Sequence, residues 1–157
     1  MKRILSVLFT LLIGASVYAQ SADVITELLE SKQATFGQVS YLAAVQKNLI
    51  NEADSYEAAV QALYENGMIP EVEDPEAPIP LIDIAFLYSR LWKIEGGLMY
   101  RITKGSPRYV FKQFQADGIL NSKQDPADFV SGAKALSIYT SCVNKYSGFD
   151  MKSVSME

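Results

Sequence analysis

One stretch of this chain is written twice, and nothing else in it constrains the fold as much. Sliding the sequence by 51 positions sets Ser55 on Ser106, Gly67 on Gly118, Asp74-Pro75 on Asp125-Pro126 and Tyr88 on Tyr139, without a gap. Apolar positions match between these anchors: Val60 with Phe111, Leu63 with Phe114, Met68-Ile69 with Ile119-Leu120, Ile79 with Val130, and Leu87 with Ile138. Each copy reads as a helix, a glycine stop, a polar loop and a second helix. A fixed-period self-match is the signature of units that bury their apolar faces against each other. The expected fold class is all-α: a small helical domain of two related helix–loop–helix units, residues 55–92 and 106–143, with further helices before them.

Local signals agree. Ser55, Ser106 and Ser131 are of the type that caps a helix N-terminus, and Pro80 and Pro107 suit a first helical turn, where a missing N–H costs nothing. Gly67 and Gly118 suit the left-handed position just past a helix end. Upstream, Val24, Ile25, Leu28 and Leu29 fall at helical spacing. Thr35 with Gln38 forms a capping-box pattern ahead of Val39, Leu42, Ala43, Val45, Leu49 and Ile50, although Gly37 weakens that start. Leu98 to Thr103 fits a short extended piece or a helical turn equally. From Lys145 onward little favours folding, so the single domain is expected over residues 20–145 with a flexible tail at 146–157.

The chain opens on Met1-Lys2-Arg3, an apolar run from Ile4 to Ala15, and small residues at Val17 and Ala19. That order predicts a signal peptide over residues 1–19, cleaved after Ala19, and hence an exported, periplasmic or envelope-associated protein. No later run is apolar and long enough to span a bilayer. Removing Lys2 and Arg3 from the 14 basic residues leaves 12 against 18 acidic ones, a net −6. That balance argues against nucleic acid or an anionic membrane as the partner. Cys142 is the only cysteine and there is no histidine. No intrachain disulfide can form, and the commonest general base and zinc ligand are both missing. Cys142 falls in register with Ala135 and Ile138 and reads as a buried thiol.

The charge is unevenly spread. Arg90, Lys93, Arg101, Lys104, Arg108 and Lys112 face only Glu95 over residues 90–112, with Trp92, Tyr100 and Tyr109 interleaved. Arginine beside aromatic faces suits anionic sugars or phosphates, by bidentate hydrogen bonding and stacking. Arg90, Trp92, Arg101, Arg108 and Tyr109 are the candidate binding residues; the bland alternative is a set of polar faces balancing an acidic molecule. The acidic loop Glu71 to Glu76 lacks the ligand alternation and turn glycine of a calcium loop, so no metal or cofactor is expected. Asp83, on an apolar helix, is the acid to watch, but no second carboxylate is placed beside it.

The stretch Ser55 to Leu91 resembles the S-layer-homology repeat: a helix, the "ENGMIP" stop, a loop, and a second helix opening on isoleucine and an acid. Ile79, Ala85, Leu87 and Arg90 fit that family's second helix, and Asp83 stands in for its glutamate. Its Thr-Arg pair, which contributes to binding secondary cell-wall polymer, is Pro80-Leu81 in one copy and Ser131-Gly132 in the other. The resemblance therefore implies the helical scaffold with an altered glycan site. The stretch from Gly96 to Tyr109 also resembles a feature of uncharacterised exported bacterial proteins. The expected function is a non-catalytic envelope module binding a protein partner or cell-wall glycan. The alternatives are a carboxylate enzyme acting on envelope polymers and a purely structural subunit.

Overall fold

A computed structural model describes residues 23–147, and these are all-helical, without strand or sheet. The predicted signal peptide and most of the predicted tail lie outside the described residues. Residues 23–30 form α1, followed by α2 (Phe36–Gln46), α3 (Tyr56–Glu65), α4 (Leu81–Leu91), α5 (Leu98–Ile102), α6 (Pro107–Ala116) and α7 (Gly132–Tyr146). The stretch left open between strand and helix is α5, and none of its residues is buried. No helix among the described residues is long and apolar enough to cross a membrane.

The two written copies become α3–loop–α4 and α6–loop–α7. Gly67 and Gly118 end their first helices at φ 66° and 76°. In both loops the aspartate of the Asp-Pro pair accepts the amide two residues on, Asp74 from Glu76 at 3.0 Å and Asp125 from Ala127 at 2.9 Å. The matched apolar pairs are buried, apart from a half-buried Val130, and the rings of Tyr88 and Tyr139 meet edge-to-face at 5.7 Å.

The joints between units reveal a third, shorter unit formed by α1 and α2. The first two amides of α2, Phe36 and Gly37, donate to the carbonyls of Ala77 and Pro75 at 2.9 and 2.8 Å. The first two amides of α4, Leu81 and Ile82, donate to Asp128 and Pro126 at 2.9 and 3.0 Å, the same two loop positions one period later. So α2 stands to the second unit as α4 stands to the third. The ring then closes: Gly132 at the start of α7 donates to Ser31 at 3.0 Å, and Ala34 donates to Val130 at 2.8 Å. The first amides of a helix have no partner within it. Here α2 and α4 satisfy their first two, and α7 its first, with the neighbouring unit's loop, at about 1 kcal/mol per bond.

Closure requires glycine at one point. A Cβ on Gly132 would lie 1.7 Å from the carbonyl oxygen of Leu28 in α1. Gly37, which weakens the start of α2 by propensity, has its own packing reason: a Cβ there would lie 2.7 Å from the Tyr56 Cβ and 2.9 Å from the Pro75 oxygen. The three second helices share one buried pattern. Val39, Ile84 and Ala135 occupy the fourth position after their N-caps and are all fully buried. The buried side chains form a single cluster drawn from every helix except α5.

At its C-terminal end the domain runs further than the sequence implies. Lys145 and Tyr146 belong to α7 rather than to a tail. Lys145 pairs with Asp117 at 3.2 Å, and the Tyr146 hydroxyl donates to the same carboxylate. With the Lys145 ammonium also donating to the Asp117 carbonyl at 2.7 Å, three polar contacts to α6's C-cap hold the last turn of α7.

Candidate functional site

Five helices stop in the same way. After α2, α3, α4, α5 and α6 the chain turns through a left-handed residue, namely Asn48, Gly67, Lys93, Lys104 and Gly118. The amide of that residue and the next one return to carbonyls in the last turn; for α4, Lys93 donates to Arg90 at 3.3 Å and Ile94 to Ser89 at 3.0 Å. Glycine takes this conformation freely and asparagine tolerates it. For lysine it costs about 1–2 kcal/mol. Lys93 and Lys104 nevertheless adopt it, at φ 49° and 52°.

Both lysines line a groove of about 560 Å³ where α2, α3, α4 and α5 end. Lys47, the C-cap of α2, and Arg90, in the last turn of α4, complete a lining with four cations and no carboxylate. Ser89, Tyr100 and Asn66 add neutral polar groups to it. Cations beside helix C-termini are favoured by the exposed carbonyls, which accounts for part of the pattern. Yet none of the four makes a salt bridge among the described residues, where the ion pair present is Lys145–Asp117. The Arg90 guanidinium instead lies over the Phe86 ring, 4.9 Å from its centroid. Unpaired positive charge concentrated in a concave site of an acidic protein focuses an attractive field on anions.

The residues singled out by sequence separate. Arg90 lies in the groove. Arg101, exposed on α5, lines an adjoining depression with Lys104, which borders both. Trp92 is half-buried, its ring edge-to-face with Tyr88 and Tyr139 at 5.5 and 5.4 Å, so it belongs to the packing of α4 on α7. Arg108 is exposed on α6, outside the groove. Tyr109 lines another depression on α6, with the Lys112 ammonium 5.9 Å from its ring centroid. Lys47 sits outside the basic stretch and was missed; its signal is its place at the end of a second helix equivalent to α4. Cys142 is fully buried, and burial, reinforced by Asp117, pushes its thiol up to about 12, which leaves it unreactive.

Asp83 faces a different and smaller cavity between α2 and α4, together with Glu71 and Glu73. Burial raises the Asp83 carboxyl above its ordinary value. Glu73 is raised by burial and by the charges of Glu71 and Asp83. No group of carboxylates, cysteine or histidine among the described residues is arranged to hold a metal ion. No family model, curated protein or solved structure matches this chain.

Proposed function

We propose that this protein is a non-catalytic, exported cell-envelope module that retains an anionic ligand, an acidic cell-wall glycan or an acidic face of an envelope protein, in the basic groove. The observation that carries this reading is the pair of lysines, Lys93 and Lys104, held left-handed where glycine serves elsewhere in the same molecule. Both keep their charge at a cost in backbone strain, and both line the groove. The export-type leader and the resemblance of Ser55–Leu91 to a wall-binding repeat support the envelope setting. The groove also bypasses the altered Thr-Arg positions, since its cations come from helix ends rather than from the start of the second helix.

The test is co-sedimentation of the mature chain, Gln20 to Glu157, with purified cell-wall sacculi over a salt series. Pelleting at low ionic strength that fades as salt screens the cations is the expected result. Absence of pelleting at low salt removes the wall glycan as ligand, and crosslinking in intact envelopes then tests the protein partner.

A further inference from the structure

The smaller cavity, at the joint between α2 and α4, has the opposite character to the groove. It measures about 170 Å³, room for roughly six non-hydrogen atoms at about 30 Å³ per water-sized group. Phe36 and Phe86 wall it, Ile79 and Leu87 extend the apolar surface, and no cation lines it. Two polar features lack their usual partners. Ser40 lines the cavity and is 1% exposed, yet its hydroxyl has no hydrogen-bond partner. A buried hydroxyl is expected to find one.

Asp83 is the second. It occupies the third helical position of α4, from which an acidic side chain normally reaches back to the N-cap amide. The N-cap is Pro80, which has no amide hydrogen. In α2 the equivalent Gln38 makes that bond to Thr35 at 3.3 Å. The Asp83 carboxylate has no hydrogen-bond or salt-bridge partner among the described residues, although the residue is half-buried. Helix capping therefore does not explain it. Glu73 shares the cavity and is also only partly exposed.

We propose that this cavity binds an aliphatic primary ammonium group, its chain between Phe36 and Phe86 and its charge held by Asp83 and Glu73, with the Ser40 hydroxyl as a further acceptor. An ammonium has three donors and no acceptor, which matches two carboxylates and a hydroxyl. The aromatic walls add attraction for a cation and cover its methylenes. A bare divalent ion fits poorly, because no group of three or more carboxylates among the described residues is arranged to hold one. The site is separate from the basic groove, and its test does not depend on sacculus binding.

The experiment is titration of the folded mature chain with n-pentylammonium, Nα-acetyl-lysine amide and 1-pentanol, followed by amide chemical shifts. Saturable shifts at the α2–α4 joint are expected with an ammonium probe, at a dissociation constant on the order of 1 mM for so small a ligand. The pentylammonium arm reports a free amine, and the lysine amide reports a side chain carried on a peptide. Saturation by either one supports the site and identifies its source. Asp83→Asn should weaken binding at least tenfold and Ser40→Ala about threefold, with the amide spectrum otherwise retained. No saturation by either ammonium probe, or equal binding of 1-pentanol, overturns the proposal. So does an Asp83→Asn variant that folds and binds as tightly as the parent.

Discussion

The joint between the first and second units and the joint between the second and third share a backbone and differ in chemistry. Both use two helix-start amides donated to two loop carbonyls, and both bury the same kinds of apolar side chain. At the second joint, Ser40, Glu71, Glu73 and Asp83 are replaced by Ala85, Ser122, Gln124 and Lys134. The groove positions change as sharply: Lys47, Arg90 and Lys93 correspond to Trp92, Ser141 and Asn144. Asn66 becomes Asp117, whose charge is already matched by Lys145. At the third unit the aspartate in the groove position is paired with Lys145, whereas the first joint carries cations in one hollow and carboxylates in another, without ion pairs among the described residues. Scaffold and proposed site are therefore separable on this molecule, because the residues proposed to bind occur at one copy of a repeated joint.

That comparison breaks most directly where the ring closes. Gly132→Ala should destabilise by about 3 kcal/mol or prevent folding, because its Cβ would overlap the Leu28 carbonyl. Gly118→Ala, left-handed but in open space, should cost only about 1 kcal/mol. Urea midpoints at constant m measure both. Equal effects would mean that α1 does not close the ring.

The two joints should also respond oppositely to pH. Burial opposes ionisation of Asp117, but hydrogen bonds from Tyr146, Gln113 and Lys145 outweigh it and hold the carboxyl below its ordinary 3.8. Its contribution is present above the unfolded pKa of about 3.8 and is lost as pH falls through the lower folded value. Asp83 is raised instead, so its contribution is favourable at low pH and is lost as pH rises through the folded value. At pH 7, Asp117→Asn should therefore cost about 1–2 kcal/mol. Asp83→Asn should be neutral or stabilise by under about 1 kcal/mol. Matching signs in stability curves from pH 3 to pH 7 would remove the distinction.

A smaller effect sharpens the role of the groove. Lys93→Gly relieves left-handed strain and should raise stability by up to about 1 kcal/mol while weakening retention on sacculi. Stability and binding moving in opposite directions is what a functional lysine in a glycine position entails. A variant that loses both would make Lys93 a structural residue.

Much of the scaffold was legible because its signals are local and periodic. Cap residues, glycine stops and the 51-residue offset locate α3, α4, α6 and α7, and the buried partners fall where the offset puts them. The first unit stayed hidden because its helices are joined by only a short turn, without the glycine and Asp-Pro anchors. Its trace survives in Ala34, Thr35 and Val39, which match Ile79, Pro80 and Ile84 at a different offset. The groove was half legible. Net charge along residues 90–112 finds Arg90, Lys93 and Lys104, but a linear count cannot separate them from Arg108 and Lys112 on α6, or bring in Lys47. Trp92 reads as a ligand platform in sequence and is a packing residue, because an aromatic's role depends on which helix faces it. The missing partners of Asp83 and Ser40 are visible only in three dimensions.

Whether retention resides in the groove at the first joint is decided by one side-by-side assay. Sacculus pelleting at low salt should be compared for the parent chain, Lys47→Ala/Arg90→Ala, and Arg108→Ala. The groove double variant should lose most of its pelleting, roughly tenfold or more in apparent affinity for two charges removed from a focused site, while Arg108→Ala pellets like the parent. Equal pelleting of the parent and the groove variant, or loss confined to Arg108→Ala, would contradict it.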